Sequence, residues 1–541
     1  MNNTYRQILK WGDKKEHEID HLMIKVIKDE FGLKDSDLKE KHLPGTQTIK
    51  IEKPSALKPG QLDFLKHIVG EENIHSDDFS RASFSCGKFY GELLDLRLNK
   101  IHYPPDAVVS PKNQDDIVSI VEYCNNEKIA VIPVGGQSSV TGALQAPFGG
   151  LALDLTKHIN KIVRINRINK TATVQAGIFG PALESELNSQ GFTCGHFPQS
   201  FEYSTVGGWL AAKGAGQAST GYGKFDDMVI SLKAVTPAGI IETGEFPRTA
   251  QGWDIYRLFA GSEGTLGIIT EVTLQIQNYM PLNTGFASFV FKSFELAVET
   301  MRKIIQSDYG KPHLFRISDP AETDIAFRTS GFDNSFSDRF LQNLGFLRGK
   351  RCLMFVTVEG DRDYTGFVIN KIRRTAKTGK GFYIGGKPVR KWLVQRYSSA
   401  YMRDPLMDTG IMTDTLETSV TWENLLKVWS AAHEYAKGRP RTILMVHISH
   451  VYQTGANLYF TFLSPMKKGD EKNDFSVFHK GFVDTIQENG GSISHHHGVG
   501  RIFAPWMEKH LGRTSTEALY AVKKHFDPNN IMNPGGTLGF K

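Results

Sequence analysis

The chain has 541 residues, of which 40% are hydrophobic and 23% charged, the composition of a globular protein of about three domains. Its 64 Lys and Arg against 58 Asp and Glu give a net charge of +6, too slight for a protein that coats nucleic acid. No stretch approaches the roughly 18 apolar residues that a membrane-spanning helix needs, and the N-terminus lacks the apolar run of a signal peptide. We expect a soluble, cytoplasmic protein that binds no nucleic acid.

The four cysteines are Cys86, Cys124, Cys194 and Cys352. They are far apart, and they form neither a C-x-x-C pair nor a set with histidines at metal-ligand spacing. We therefore expect reduced, mostly buried thiols and no metal site.

The first hundred residues are polar, but they contain an amphipathic pattern. Leu62, Leu65 and Val69 recur at the spacing of one helical face. This predicts a helical N-terminal extension over residues 1–100 that packs on the main body.

From Pro104 onward the sequence pattern changes from polar segments to short apolar runs. Short apolar runs predict strands at 107–110 and 129–134, and an apolar stripe between them, over 117–124, predicts a helix. This β-α-β unit ends in glycines. Further strands are predicted at 151–155, 171–176, 228–236 and 267–276.

The density of glycines falls after Gln277, and strand-like and helical segments then alternate, as in a second α+β domain. The expected strands are 288–291, 353–358 and 458–463, and the expected helices are 294–305 and 422–437. The chain is thus expected to divide into units at 1–100, 101–280, 281–490 and 491–541.

Basic residues dominate between Asp363 and Asp404, where no acidic residue occurs. Ten lysines and arginines lie in this run: Lys371, Arg373, Arg374, Lys377, Lys380, Lys387, Arg390, Lys391, Arg396 and Arg403. We interpret the run as a solvated face or a mobile loop. The alternative is that it attracts a phosphate or an anionic membrane surface.

Three glycine-rich clusters occur at 133–139, 199–208 and 261–267. Neither G-x-G-x-x-G after a strand nor G-x-x-x-x-G-K-[ST] is present, so the sequence has no Rossmann or P-loop signature. Each cluster combines glycines, which let backbone N–H groups close around an anion, with hydroxyls that can donate to phosphate oxygens. Any one cluster could be a simple tight turn, but three together predict a diphosphate site.

Segments 133–139, 198–209 and 261–270 resemble the FAD-binding segments of the vanillyl-alcohol oxidase type of flavoprotein. The resemblance implies an α+β fold in which a PCMH-type FAD-binding domain of two subdomains occupies 101–280. An α+β cap that binds substrate would follow at 281–490, and residues 491–541 would return to the flavin. The implied FAD-binding residues are Pro133, Val134, Gly135, Gly136, Gln137, Ser138, Ser139, Gln199, Ser200, Tyr203, Ser204, Thr205, Gly208, Ala212, Gly214, Ala215, Glu263, Gly264, Thr265, Gly267, Ile268 and Ile269.

Some relatives place a flavin-linking histidine where this chain has Gln137. Because an amide cannot form that covalent bond, we expect FAD to be bound noncovalently.

The C-terminal half carries a second set of reactive residues: Arg316, Arg403, Tyr459 and the run His495, His496 and His497. Three consecutive histidines cannot share one face of a strand, but in a loop they could all reach a cavity. Imidazoles beside glycines suit proton transfer at neutral pH, although a metal-binding or surface tract is the alternative. Taken singly, Tyr459 could be a core residue and each arginine a surface ion pair.

These segments together resemble the alkyldihydroxyacetonephosphate synthase family of ether-lipid enzymes. The resemblance implies that acyl-dihydroxyacetone phosphate exchanges its acyl group for a long-chain alcohol. A transient covalent adduct with the flavin would form without net oxidation. Arg403 would bind phosphate, Arg316 would support substrate or flavin, and Tyr459 would move a proton with the histidines, which could supply the cationic or hydrogen-bonding partners that lower its pKa. The resemblance further implies a homodimer and peripheral contact with membranes.

Two alternatives remain at this point. A flavin oxidase or dehydrogenase of a 2-hydroxy acid would share the FAD domain, but such enzymes typically have Asn-Leu-His where this chain has Tyr459, and Glu-His-Gly where it has His496 and His497. A noncatalytic flavin- or phosphate-binding module at a membrane surface would lack a proton-transfer set. Segments 324–350 and 374–391 are hard to match to relatives, and we expect them to shape an acyl tunnel.

Overall fold

A computed structural model of the protein describes residues 3–13 and 15–539. The outer bounds of the expected first and last units, residues 1 and 541, lie outside this range. The N-terminal hundred residues are helical, as predicted, with helices at Tyr5–Leu9, His21–Phe31, Pro59–Val69, Asp78–Ser83 and Tyr90–Arg97. These helices pack into two separate hydrophobic cores. Leu65 and Val69 pack into the core of the glycine-rich half, whereas Leu93 and Leu94 pack into that of the C-terminal half.

The glycine-rich half contains two principal sheets. The first has four strands in the order Ile74–His75, Ala107–Val109, Leu151–Asp154 and Val131–Val134, and its last three strands are parallel. The second is antiparallel, in the order Ile162–Asn166, Thr171–Gln175, Ile268–Gln275, Val229–Thr236 and Gly239–Glu242. The predicted strands of this half are confirmed to within two residues at their ends.

Helices cover these sheets and connect their strands. They are Gln114–Glu127, Gly180–Ser189, Val206–Ala211, Ser219–Tyr222, Phe225–Met228 and Ile255–Phe259. Helix Gln114–Glu127 buries Ile117, Val121 and Cys124, the stripe that the sequence predicts. The strand pair Phe192–Thr193 and Gln277–Asn278 closes the unit.

The C-terminal half is built on one antiparallel sheet of seven strands. Their order is Phe382–Gly385, Gly285–Phe291, Cys352–Val358, Leu314–Ser318, Ile443–Ile448, Gly455–Pro465 and Ile411–Thr421. The helices are Phe294–Ile305, Pro320–Thr329, Phe336–Asn343, Arg362–Thr378, Lys387–Gln395, Ser398–Tyr401, Arg403–Asp408, Trp422–Lys437 and Glu471–Glu488. The three predicted strands and both predicted helices of this half are confirmed.

Strand Gly455–Pro465 shows how the sheet separates core from site. Side chains of a strand point to alternate faces, and Phe460 and Phe462 pack on helix Glu471–Glu488, with ring centroids 5.2 and 5.0 Å from Phe482 and Phe478. Tyr459, which directly precedes Phe460, therefore faces the other way, into a large cavity.

The last residues return to the glycine-rich half. After helices Ala504–Leu511 and Arg513–Phe526, the chain forms a parallel bridge between Met532 and Val131. Asp527, which is fully buried, fixes this turn by accepting hydrogen bonds from the backbone N–H groups of Ile531 at 2.9 Å and Met532 at 2.7 Å. The C-terminal segment thereby extends the edge of the four-stranded sheet.

The basic run is folded, so its interpretation as a mobile loop is wrong. Residues of the run occupy helix Arg362–Thr378, strand Phe382–Gly385 and helix Lys387–Gln395. Helix Arg362–Thr378 buries Val368 and Ile372, because apolar residues interrupt its charges at helical spacing. Many of the basic side chains still form a solvated face.

The four cysteines are free thiols, and three of them are buried, in agreement with the sequence. Among residues 3–13 and 15–539, the helices are all too short or too polar to cross a membrane.

Candidate active site

A cavity of about 880 Å³ lies between the glycine-rich half and the seven-stranded sheet. Its wall on one side is made by the three glycine clusters, and on the other by strands of the C-terminal sheet. The N-terminal extension closes part of the opening with Trp11, Asp20 and Met23. A single chamber therefore contains residues from widely separated parts of the sequence.

The glycine clusters are packed closely against each other. A Cβ atom at Gly136 would lie 2.1 Å from the carbonyl oxygen of Tyr203, and one at Gly135 would lie 2.3 Å from the Thr205 hydroxyl. Neither position has room for a larger residue. The glycines thus let the backbone of the first cluster contact the second cluster directly. The opposite side of the first cluster faces the cavity.

Most of the predicted FAD-binding residues line this cavity, but three do not face it. Tyr203 packs near Tyr401, with ring centroids 6.3 Å apart. Thr265 turns its hydroxyl to the Ser262 carbonyl at 2.7 Å, and Ile268 lies in the hydrophobic core. The structure therefore does not bring these three residues to the cavity wall, because the glycine spacing of a turn does not fix which side chains point inward.

A row of polar side chains crosses four strands of the C-terminal sheet. Tyr459 lies directly opposite His447 on one neighbouring strand and Glu417 on the other. Arg316 follows on the fourth strand and lines the same cavity. Since residues paired across strands share a face, these side chains form one polar surface.

His447, Glu417 and the nearby His450 are missed by the sequence analysis. A signal was present for His447, the single polar residue of the apolar strand Ile443–Ile448, but not for Glu417, whose strand contains several other polar residues. Without the register, however, nothing in the sequence connects them with Tyr459.

Glu417 holds the histidine run in place. Its buried carboxylate accepts hydrogen bonds from the backbone N–H groups of His495, His496 and His497 at 2.6, 3.1 and 3.0 Å, and from the Ser494 hydroxyl at 2.6 Å. Burial raises the pKa of this carboxyl, but the neighbouring histidines and hydrogen bonds hold it well below its usual value. The anion therefore organises the loop, which we call the histidine loop, over 494–500.

The far end of the histidine loop is fixed from the other half of the protein. Glu263 accepts from the backbone N–H groups of Val499 at 3.1 Å and Gly500 at 2.7 Å. Gly500 has φ of +52°, and a Cβ there would lie 2.1 Å from the Thr141 carbonyl oxygen. Glycine is therefore required at this approach.

The phenol of Tyr459 is buried among the imidazoles, but it contacts them through ring faces. Its ring lies 4.6 Å from that of His447, 5.8 Å from His496 and 5.5 Å from His497, and its hydroxyl group bonds with Thr415. Burial raises the pKa of Tyr459 to about 12, and burial likewise lowers the pKa of His497 to about 4. Burial thus opposes the expected ionisation of Tyr459, and it also opposes a positive charge on His497, one of the histidines expected to assist it.

Arg403 is a buried cation with unsatisfied donors. Its Nη1 donates to the Lys88 carbonyl at 2.7 Å, while Nε and Nη2 find no hydrogen-bond partner in the described part of the chain. The nearest carboxylate, Asp404, lies 3.7 Å from Nε. Burial lowers the pKa of this guanidinium, because keeping its charge away from water costs free energy. An anion bound in the cavity would offset that cost.

Arg316, by contrast, already has an anionic partner. It forms an ion pair with Glu322, which also lies 3.2 Å from Nδ1 of His447. Burial alone would raise the pKa of Glu322, but Arg316 and His447 lower it to about 2. Arg316 thus lines the cavity as one member of a neutralised triad.

Two families match the two halves of the chain. The family described as FAD binding domain matches residues 105–244, and that described as FAD linked oxidases, C-terminal domain, matches residues 280–537. An alkyldihydroxyacetonephosphate synthase of Dictyostelium discoideum is 31% identical, over 94% of this chain and 86% of its own length. One of Caenorhabditis elegans is 34% identical, over 82% of this chain and 77% of its own length.

The chain belongs to the alkyldihydroxyacetonephosphate synthase family. A solved alkyldihydroxyacetonephosphate synthase structure covers 98% of each chain with a TM-score of 0.82 at 27% identity. This confirms the resemblance drawn from the glycine clusters and the histidine run, and it confirms the α+β fold with its two kinds of domain. The homodimer and the cytoplasmic location expected from the sequence stay predictions.

As a member of the synthase family, the protein is an FAD-dependent enzyme. The residues present fit this cofactor: the first and second glycine clusters leave backbone facing the cavity, and Gln217 keeps a buried, unpartnered side-chain oxygen there within the described chain. These clusters would hold the nucleotide, and Gln137, with φ of +57°, lies at the same wall.

Acid precipitation of the purified protein is expected to release all of its flavin into the supernatant. The reason is that an amide at Gln137 offers no nucleophile for a covalent link. Absorbance of the supernatant and of the redissolved pellet measures the distribution, with the variant Gln137→His as the comparison. Yellow colour that stays with the pellet of the unaltered protein contradicts this prediction.

Proposed function

We propose that this chain exchanges the acyl group of acyl-dihydroxyacetone phosphate for a long-chain alcohol, forming an ether-lipid precursor. The observation that carries the proposal is the presence of an unsatisfied guanidinium, Arg403, in one cavity with a phenol and an imidazole-rich loop. The bond between the substrate carbon and its acyloxy oxygen breaks, the fatty acid leaves, and the alcohol oxygen forms the new bond to that carbon. There is no net oxidation.

Arg403 is the group that would receive the phosphate. A planar guanidinium can present two parallel N–H donors to phosphate oxygens, and Nε and Nη2 are the two that lack partners among the described residues. Trp11 covers the other side, with its ring centroid 5.2 Å from the Arg403 Cζ. The anion would therefore bind from the cavity.

Tyr459 and the histidine loop would move the proton. Removing and returning a proton on the substrate carbon needs a group that can both accept and donate near neutral pH. With its pKa raised, Tyr459 is a neutral hydroxyl, so it would act as a donor and relay, and His496, with its ring 5.8 Å from the phenol ring, would take up the proton. Glu417 would orient this loop by accepting hydrogen bonds from its backbone N–H groups.

The glycine clusters would orient the cofactor across the same cavity. When bound, FAD supplies the nucleophilic ring nitrogen for the exchange. The chain contributes positioning and a water-poor environment, because burial by the two domains removes the site from bulk solvent.

An apolar arm of the cavity would accommodate the hydrocarbon chains. It is lined by Met23 from the N-terminal extension, Ile325 and Ala326, and Met445 and Leu463 from the sheet. Of the two segments expected to shape a tunnel, 324–350 contributes only its first residues, and 374–391 lies outside the cavity wall in the described structure. The second expectation is wrong because that segment forms the outer helix and edge strand instead.

One anaerobic experiment tests the function. The holoenzyme is given either acyl-dihydroxyacetone phosphate with hexadecanol or a 2-hydroxy acid, and flavin absorbance and products are followed together. We expect ether product and released fatty acid without accumulation of reduced flavin. Lasting bleaching of flavin by the 2-hydroxy acid, with no ether product from the first mixture, would instead identify an oxidase.

We also propose that an outer face of the cap contacts anionic membranes. Helix Phe336–Asn343 exposes Phe336 (86%) and Phe340, and the neighbouring helix Lys387–Gln395 exposes Val394 (88%). Both helices contribute to the same small core, and Lys387, Arg390 and Lys391 are exposed beside it. Apolar side chains ringed by lysine and arginine suit the surface of an anionic bilayer, which would deliver lipid substrates.

Sedimentation with phosphatidylglycerol vesicles should show binding that falls about tenfold in Phe336→Glu, since the exposed ring no longer enters the bilayer surface. Vesicles of phosphatidylcholine alone test the contribution of charge. Ile168→Glu, at an equally exposed position in a hairpin of the FAD-binding half, is the matched control and should bind as the unaltered protein does. Equal loss in both variants, or no preference for anionic vesicles, would remove this face as the contact.

A further inference from the structure

Three imidazoles meet at the base of the histidine loop. His450, which follows strand Ile443–Ile448, has its ring 5.1 Å from that of His495 and 4.9 Å from that of His496. One ring nitrogen of each lies within 4.8 Å of the others. Nitrogens around a tetrahedral Zn²⁺ ion are about 3.3 Å apart, so rotation of side chains alone would close the set.

Two of these imidazoles are already oriented by oxygen atoms on their outer sides. Nδ1 of His450 is hydrogen-bonded with the Ser449 hydroxyl at 3.0 Å, and Nε2 of His495 with the Tyr452 hydroxyl at 2.7 Å. Histidines that bind metals typically use their second nitrogen in this way, which fixes the ring and the tautomer. The inner nitrogens are therefore left for a shared ligand.

One of the inner nitrogens has no partner in the protein. Nε2 of His450, which is only 5% exposed, has no hydrogen-bond partner in the described chain. Nδ1 of His495 and Nδ1 of His496, 3.0 Å apart, share a single N–H···N hydrogen bond, which a cation bound by both nitrogens would replace. A buried group without a partner is costly, and a cation between the three nitrogens would satisfy all of them.

The surroundings can accept a divalent cation. The Glu417 carboxylate lies 3.5 Å from Nδ1 of His496 and would offset the positive charge of the ion. His450 and His496 line the cavity, so an ion has a path to the cluster.

We propose that His450, His495 and His496 form a binding site for Zn²⁺. Imidazole ligands without carboxylate or thiolate suit a borderline cation, and three protein ligands leave a fourth position open to water. Bound zinc occupies His496, whose ring lies 5.8 Å from that of Tyr459, so it inhibits the exchange reaction. This departs from the expectation of a chain without metal sites, because the third ligand comes from a segment that the sequence does not connect with the histidine run.

The test is equilibrium dialysis of the tag-free holoenzyme against Zn²⁺, with metal analysis of the protein. We expect about one zinc per chain that is lost in His450→Asn, and Co²⁺ in its place should give the visible absorption of a tetrahedral ion. Ser449→Ala, which removes only the outer hydrogen bond, should weaken binding about tenfold. This readout uses no substrate, so it stands apart from the proposed reaction.

His479→Asn is the matched control, because His479 is a buried histidine on helix Glu471–Glu488 whose Nε2 also lacks a partner in the described chain. It should keep the zinc. Flavin absorbance and circular dichroism show whether each variant is folded, and Tyr452→Phe, also expected to weaken binding about tenfold, replaces His450→Asn if that variant fails to fold. Zinc retained equally by the unaltered protein, His450→Asn and Ser449→Ala, or by none of them, overturns the proposal.

Discussion

Replacing Tyr459 by phenylalanine is expected to lower the rate of acyl-for-alkyl exchange by about 10²- to 10⁴-fold while leaving FAD bound, since general acid–base groups contribute by that order. The ring would still fill the space between His447 and His496, because the change removes one oxygen atom. The loss would therefore report the hydroxyl and not the packing. Radiolabelled hexadecanol incorporated into ether product measures the rate, and the visible flavin spectrum measures occupancy.

Thr415→Val is the matched control for this variant, because it removes the hydroxyl bonded to Tyr459 and leaves the phenol itself in place. We expect a smaller loss than in Tyr459→Phe. Exchange that continues at the original rate in Tyr459→Phe would remove the phenol from the reaction, and the histidine loop would then have to act alone.

Replacing Arg403 by methionine is expected to reduce kcat/KM for acyl-dihydroxyacetone phosphate by about 100-fold or more, through loss of two charge-assisted hydrogen bonds. Methionine keeps an apolar stem in the cavity and removes the charge. The change also removes the ion pair with the buried carboxylate of Asp404, 3.7 Å from Nε, so circular dichroism and the flavin spectrum check that the variant is folded. In the folded variant the rise in KM should exceed the fall in kcat.

Inhibition by inorganic phosphate gives a second measurement for this variant, since a site that has lost its guanidinium should lose phosphate inhibition as well. Arg167→Met, over the ring of Phe192 in the FAD-binding half, is the control and should leave both quantities unchanged. Equal loss in the two variants, or an unaltered KM in Arg403→Met, would mean that the phosphate binds elsewhere.

Much of the secondary structure was readable from local pattern. The alternation around Tyr459 predicts a strand, and strand Gly455–Pro465 has that residue on the face away from Phe460. Helix Trp422–Lys437 begins and ends at the predicted residues, because its apolar positions recur with helical spacing. The glycine clusters and the histidine run likewise identify the cofactor and the family.

What the sequence could not supply was the environment of these residues. Glu417 lies 78 positions or more before the N–H groups that it binds, and only strand register brings it there. Burial also changes the expected electrostatics, because it lowers the pKa of His447 and His497, two of the imidazoles in contact with Tyr459. The basic run was expected to be a mobile loop for a related reason. Its many charges obscure the helical spacing of apolar residues such as Val368, which pack the first helix of the run against the core.

The two carboxylates that grip the histidine loop belong to different halves of the protein: Glu417 stands on the cap sheet and Glu263 on the FAD-binding side. The loop therefore connects the two halves of the protein across their boundary. Any displacement of one half relative to the other moves the ends of the loop, so the positions of the imidazoles depend directly on the alignment of the two domains. The surface of the cap can change to suit other lipids, but only while the distance between Glu417 and Glu263 is kept.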